Sequence, residues 1–430
     1  MLELDRLREI RRVYEKAAER YDINAMAELM LLAGDYMVKP RNGEEKEEQL
    51  FFHLRATVVF AGMLRALEEG RAADALRFMD WYQERAYGKA SAFFYYEALA
   101  YYAMGEWEKA ADKLLAFGLQ DEEASFYFGN ACFRLGRYGE AVEAYRRTLS
   151  LRQSFFEAEI NAHLAARRGD LPRLTPPHTP EVQRGVVAGK LWETPTASSL
   201  WLPSGTGWQD IPVFINSRDR LIPLQRLLPW LLRAGFRRVY ILDNASTYPP
   251  LLEYYNSLHG CAEVIVLGEN LGYQAIWRSG ILERMAIRTP YIYTDSDVVP
   301  ADSCPAAVVE RLLEVLGRYP LLCKAGLSLR CSDITYFEAK EMRQRQELMR
   351  FVRMEPDCFF QEVDTTFALY RNKRHYSLVE AAALASPAEL LHLPWYYDYK
   401  DLPEDEAYYM AHADVSSTIV QAWGDRGTKG

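Results

Sequence analysis

The segment Pro290-Tyr-Ile-Tyr-Thr-Asp-Ser-Asp297 is a short β-rich run that ends in two carboxylates. It is the last of four such runs. IPVFINS (211–217), RRVYILDN (237–244) and AEVIVL (262–267) precede it. Between them lie helix-period segments at 223–235, closed by Gly235, at 249–260, with proline in the first turn, and at 273–286. Apolar strands alternating with helices predict a parallel sheet covered on both faces. Ligands of such sheets sit at the carboxyl ends of the strands. Here those ends carry Asn216-Ser217-Arg218-Asp219-Arg220, Asp243-Asn244-Ala245-Ser246, the run Gly268 to Tyr273, and Thr294-Asp295-Ser296-Asp297. One polar strand end would be an ordinary solvated loop. Four beside one crevice point to a site.

Asp295 and Asp297 stand at i and i+2 on an extended strand end and project to the same side. Their hard oxygen donors suit Mg²⁺ or Mn²⁺ shared with a diphosphate. Such an ion neutralises phosphate charge and polarises the leaving group. Asp-x-Asp alone reads equally well as a helix N-cap cluster. Its place after the fourth strand favours the metal. A site holding Asp243, Asp295 and Asp297 also needs a cation before it accepts a diphosphate.

The stretches VFINSRDR (213–220), ILDNAS (241–246), ENLGYQAIWRSG (269–280) and YIYTDSD (291–297) resemble, in order and spacing, the nucleotide-sugar-binding half of a GT-A-type glycosyltransferase of the family 2 kind. The resemblance covers residues 210–300. It implies a GT-A (Rossmann-like), mainly parallel sheet domain over 210–430. It also implies a nucleotide-sugar donor (a UDP-sugar first), hexosyl transfer with inversion, and Mn²⁺ or Mg²⁺. By the same resemblance Asp243 contacts the base or ribose and Asp295 faces the ribose. Asp297 holds metal and diphosphate, with Asp295 counted beside it as a ligand. Asn216 and Arg218 line the nucleotide pocket. Asn270, Gly272 and Gly280 match the family's Asn-x-Gly pattern and its later glycine. Trp277 occupies the place where the family has Arg, and Arg278 lies one position on as the substitute phosphate contact.

Beyond the carboxylate pair, LLCKAGLSLR (321–330) and FQEVDTTFALYR (360–371) read as strands, the second with Asp364 near its start. An inverting transferase needs a base for the acceptor hydroxyl. Asp364 is the first candidate and Glu362 the second. The alternative for Asp364 is a strand-end cap with Thr365 and Thr366. His392 precedes Leu-Pro-Trp. Several GT-A-type families place a histidine there as a further metal ligand, and imidazole is compatible with Mn²⁺. The alternative is a packed surface histidine. His412 is the weaker substitute. Trp395, Tyr396 and Tyr397 read either as a sugar-stacking platform or as core.

Residues 1–170 read as a helical array. Gly105-Glu-Trp-Glu-Lys-Ala110 matches Gly136-Arg-Tyr-Gly-Glu-Ala141 at a spacing of 31, and Gly70-Arg-Ala-Ala-Asp-Ala75 precedes the first by 35. A Gly-x-x-x-x-Ala core at a period of about 34 resembles tetratricopeptide repeats. The segment 126–151 is the best copy. Gly136 is expected to end a helix and Ala141 to sit where two helices approach closely. Phe93, Phe94, Tyr95, Tyr96, Tyr101 and Tyr102 are expected in the repeat core. Stacked repeats leave a concave groove. It would serve either as a platform for a protein or peptide acceptor, or as part of an arm that makes a homodimer or braces the second domain. The stretch GDLPRLTPPHTPEVQRG (169–185) reads as the start of a linker, placed at 171–209.

Composition narrows the classes. The chain has 430 residues with a formal net charge of -9, against sequence-independent nucleic-acid binding. Its six cysteines form no CxxC pair and read as reduced thiols, consistent with a cytoplasmic setting. The amphipathic N-terminus has no apolar signal core, and no apolar run of 18 residues suggests a transmembrane segment. Two rival functions stand beside the transferase. A nucleotidyltransferase predicts a Gly-rich basic loop after the first strand, and NSRDRLIP has no glycine. A non-catalytic repeat scaffold with a degenerate α/β domain predicts that the strand-end carboxylates are dispensable.

Overall fold

The structure, a computed structural model, describes residues 2–33, 55–84, 92–119, 121–152, 155–172, 174–175, 179–195, 200, 202–258, 260–334, 352–372 and 377–413. A helical array is followed by a mixed α/β domain. In the array, Arg55–Glu68 pairs with Ala72–Tyr82, Ala92–Ala103 with Trp107–Phe117, and Glu122–Arg134 with Tyr138–Leu151. The same turn joins each pair. Gly70, Gly105 and Gly136 all take left-handed backbone, at φ +73°, +77° and +75°. The next N–H then reaches back to the helix, Arg71 to Ala66 O at 2.8 Å, Glu106 to Tyr101 O at 2.9 Å and Arg137 to Cys132 O at 2.9 Å. Glycine enters this conformation without the strain a side chain brings. Ala75, Ala110 and Ala141 are all fully buried, so the repeated glycine and alanine each have a packing reason. Phe93, Tyr95, Tyr96 and Tyr102 are buried as expected, while Phe94 and Tyr101 are half-buried.

The supposed linker is partly structured. Helix Pro180–Ala188, capped by Thr179 Oγ1, packs on Phe156–Arg168 and closes the array. Gly185 makes that approach possible, since a Cβ there would meet Ile160 Cδ1 at 2.3 Å. The array also rests directly on the second domain. Phe60 packs against Phe360 with ring centroids 6.1 Å apart, and Glu68 Oε1 accepts from Leu321 N at 3.2 Å.

The α/β domain holds one ten-stranded sheet. Its strands are β1 (Val213–Ser217), β2 (Val239–Asp243), β3 (Glu263–Val266), β4 (Tyr291–Asp295), β5 (Val298–Pro300), β6 (Lys324–Leu329), β7 (Arg353–Glu355), β8 (Cys358–Phe360), β9 (Ala368–Tyr370) and β10 (Ala381–His392). The order is β3-β2-β1-β4-β9-β6-β10-β8-β7, with β5 paired to β10. The expected mainly parallel sheet is corrected to a mixed one. β3, β2, β1 and β4 are parallel, but β9 runs antiparallel to β4 and β6, and β8 and β5 run antiparallel to β10. β7, β8 and β9 have three residues each, and β7 reaches β8 across two residues, a connection only an antiparallel pair accepts.

Two further expectations change. The helix expected over 273–286 is broken into Ala275–Arg278 and Ile281–Arg284, because Gly280 takes φ +65° between them. The strand expected over 360–371 is the end of β8, an irregular stretch at 361–367, and β9. Asp364 lies in that stretch, where its Oδ1 accepts from Thr365 N at 2.9 Å and draws the backbone away from a ladder. No helix among the described residues is long and apolar enough to cross a membrane.

Candidate active site

After β1 the chain adds β2 and β3 on one side, while β4 lies on the other. The carboxyl ends of β1 and β4 therefore flank a topological switch point, the usual place for a ligand crevice. Parallel register sets Asn216 beside Asp295 and Ser217 beside Asp243. Asn216 Nδ2 donates to Asp295 Oδ1 at 3.0 Å. Thr365 Oγ1 donates to Asp295 Oδ2 at 2.5 Å, and Asp295 N donates to Thr365 O at 2.8 Å. Thr365, which the sequence reading treated only as a cap, thus ties the approach to β9 to the end of β4. Burial, and then the neighbouring Asp297 charge, push the Asp295 carboxyl up to about 8.

Asp297 is the opposite case. Burial works against its charge, but His392 and Arg220 outweigh that and hold the carboxyl below the usual range. Arg220 Nη1 lies 3.0 Å from Asp297 Oδ2, and His392 Nε2 lies 3.5 Å from the same oxygen. Arg220 is itself buried and bidentate to Glu406, at 2.6 Å and 2.7 Å, with its guanidinium 3.6 Å over the Tyr409 ring. The sequence places Arg220 at a strand end but does not show its pairing with Glu406. Nothing local marks a residue 186 positions away as a partner. Helix Glu404–His412 brings Glu406 in, fastened by Ile222 N to Asp405 Oδ2 at 2.7 Å and Tyr408 OH to Thr247 O at 3.2 Å.

The other expected residues divide. Asp243 is the buried last residue of β2, where its Oδ1 accepts from Ser246 N and Tyr255 OH, each at 3.3 Å. Burial raises its carboxyl, against the pull of those donors. Arg218 is half-buried and reaches His412 O at 3.4 Å. The loop after β3 is a scaffold. Asn270 Oδ1 accepts from Gly272 N at 3.0 Å, and Asn244 holds the loop through Leu271 N at 2.7 Å and Gly272 O at 3.0 Å. Gly272 needs glycine, at φ +69°. Arg278 bonds Leu271 O at 3.2 Å, so it buttresses this loop. Trp277 faces the other way, with Nε1 donating to Tyr291 OH at 3.0 Å and its ring 5.2 Å from Tyr293. That packing gives the tryptophan in the family's Arg position a core role.

Asp364 is exposed, one residue from the Thr365 that bonds Asp295, so the structure brings it to the crevice. Glu362 is half-buried in the same irregular stretch. His412 stacks on Tyr408 at 4.0 Å, with Nδ1 2.8 Å from Tyr408 O, and is not brought to Asp297. The ring of Trp395 packs 4.6 Å from that of His392, and Tyr396 OH donates to Arg330 O at 2.9 Å.

The residues can be tested against the expected cation. Among the described residues no group of three His, Cys, Asp or Glu side chains is disposed to hold an ion. Both oxygens of Asp295 accept a hydrogen bond from protein, Oδ1 from Asn216 and Oδ2 from Thr365. Asp297 and His392 are the residues that would hold the ion, with Asp297 Oδ2 shared with Arg220 Nη1 at 3.0 Å. Their facing atoms are 3.5 Å apart, wider than a good hydrogen bond, and His392 Nδ1 is buried without a protein partner. A hard divalent ion that keeps water and phosphate oxygens needs only one or two side chains.

No protein-family description matches the chain, and no curated protein matches it. Among solved structures, a mutant O-GlcNAc transferase of Thermobaculum terrenum is similar at 14% identity and a TM-score of 0.24, over 54% of this chain and 45% of that one. The chain therefore spans less than half of that neighbour, and a likeness of this size carries no argument about the site.

Proposed function

We propose that the α/β domain is a glycosyltransferase that takes a nucleoside-diphosphate sugar, a UDP-sugar first among them, with Mn²⁺ or Mg²⁺. One observation carries the reading. Asn216 at the end of β1 is bonded to Asp295 at the end of β4, two residues before Asp297, and Thr365, next to Asp364, bonds the same carboxylate, so three segments meet beside the switch point of the sheet. Asp243 and Arg218 line its nucleotide side. Asp297 and His392 would hold the cation, which when bound supplies charge neutralisation for the diphosphate leaving group. Arg220, fixed by Glu406, keeps Asp297 ionised and oriented. Asp295, whose carboxyl is pushed up by burial and the Asp297 charge, faces the ribose. Asp364, exposed beside it, takes the proton from the acceptor hydroxyl in an inverting transfer.

Calorimetry with UDP, GDP and their sugars, with and without Mn²⁺, on wild type and Asp297→Ala tests this. The expected result is metal-dependent binding of one nucleotide that the substitution removes. Absence of binding to every nucleotide under every metal refutes the reading and leaves the repeat scaffold.

A further inference from the structure

One face of the repeats is covered by a later segment of the same chain. Asn130 and Asn161 are both fully buried and stand 31 residues apart, one repeat. Both bond the backbone of one extended segment that follows the helix Pro180–Ala188. Asn161 pairs with Trp192 in both directions, Nδ2 donating to its carbonyl at 2.8 Å and Oδ1 accepting from its N–H at 2.9 Å. Asn130 Nδ2 donates to Trp192 O at 2.9 Å and Glu193 O at 3.2 Å. Tyr102 OH from the preceding repeat donates to Glu193 O at 3.1 Å.

The two asparagines are held ready. Asn130 Oδ1 accepts from Tyr145 OH at 2.7 Å and Asn161 Nδ2 at 2.8 Å. An amide that pairs with a peptide unit in both directions reads main chain whatever the side chain, as a neighbouring strand does. Side-chain preference comes from three other contacts, one of them Tyr102 OH donating to Glu193 Oε2 at 2.7 Å. Trp192 sits edge-on to Phe156 at 5.6 Å, and Glu193 pairs with Arg134. The segment is only half-buried, and its tether is short.

We propose that this face is a backbone-reading peptide groove which this chain keeps filled with its own segment Leu191–Pro195, and that extended peptides with an aromatic residue followed by a carboxylate displace it. Buried asparagine amides left without partners are costly, so an empty groove is disfavoured and a cis ligand settles there. Tethering gives that ligand an effective concentration of about millimolar, which a free peptide must exceed. The inference does not depend on the transferase chemistry of the other domain.

The probe is a fluorescein-labelled peptide of residues 188–195, Ala-Gly-Lys-Leu-Trp-Glu-Thr-Pro, titrated into the full chain and read by anisotropy. Wild type should bind weakly. Trp192→Ala with Glu193→Ala loosens the cis segment and should bind at least tenfold tighter, and adding Asn161→Ala should abolish the gain. A loosened variant with unchanged circular dichroism that binds no better than wild type overturns the proposal. If that variant loses its helical signal, the wild type carries the test by hydrogen exchange. Excess peptide should then speed exchange of the Trp192 amide, and an unchanged rate overturns the proposal.

Discussion

Asp295→Asn should stabilise the protein above neutral pH while impairing the site. The Asp295 carboxyl rises from 3.8 to about 8 on folding, through burial first and the Asp297 charge second. The sign follows from linkage. Between these values the folded state binds a proton that the unfolded state has released, so stability falls as pH rises. Each pH unit in that window costs about 1.4 kcal/mol, so wild type loses about 2–3 kcal/mol between pH 5 and pH 7 from this group alone. An asparagine has no proton to lose. Its Oδ1 still accepts from Asn216, and its Nδ2 can donate to Thr365 Oγ1, so both existing contacts keep a chemical counterpart. The expected outcome, in metal-free buffer, is near-equal stability at pH 5 and a variant more stable by about 2 kcal/mol at pH 7, widening toward pH 8. Urea denaturation at four pH values measures it. Curves that stay parallel from pH 5 to pH 8 would refute both the protonated Asp295 and the asymmetry assigned to the carboxylate pair.

Other outcomes follow from the same geometry. Arg220→Met leaves Asp297 and Glu406 buried without their shared guanidinium and should cost about 3–5 kcal/mol by denaturation. Adding Glu406→Leu should recover part of that loss, and a strictly additive pair would argue against the coupling. Asp364→Asn should lower kcat about 10²–10⁴-fold with calorimetric donor binding unchanged; an unchanged kcat would remove it as the base. Gly136→Ala meets nothing within 4 Å but must hold φ +75°, so thermal unfolding should show a loss of about 1–2 kcal/mol from backbone strain alone.

Much of the architecture was legible because it is local. The Gly-x-x-x-x-Ala spacing identified three turns whose left-handed glycines and buried alanines recur in the structure. Apolar runs marked β1 to β4, and their polar ends marked the crevice, since alternating helices force a parallel order that aligns those ends. The later sheet was less legible. Three-residue strands such as β7, β8 and β9 carry too little pattern to show direction. Local hydrogen bonding by Asp364 and Thr365 also interrupts what otherwise reads as one strand.

Strand ends and repeat turns were legible because they depend on spacing within about 30 residues, and the alternation of strands with helices then aligned the strand-end carboxylates at one edge. Only the tertiary structure decided how those carboxylates differ. Burial and the neighbouring Asp297 charge push the Asp295 carboxyl up, against the pull of Thr365 and Asn216, whereas Arg220 and His392 hold Asp297 below the usual range against burial. Glu406 secures that arginine from a helix 186 residues away. The filling of the groove by Trp192 and Glu193 was equally invisible, since an asparagine's partner is chosen by where the folded chain passes and not by its neighbours in sequence.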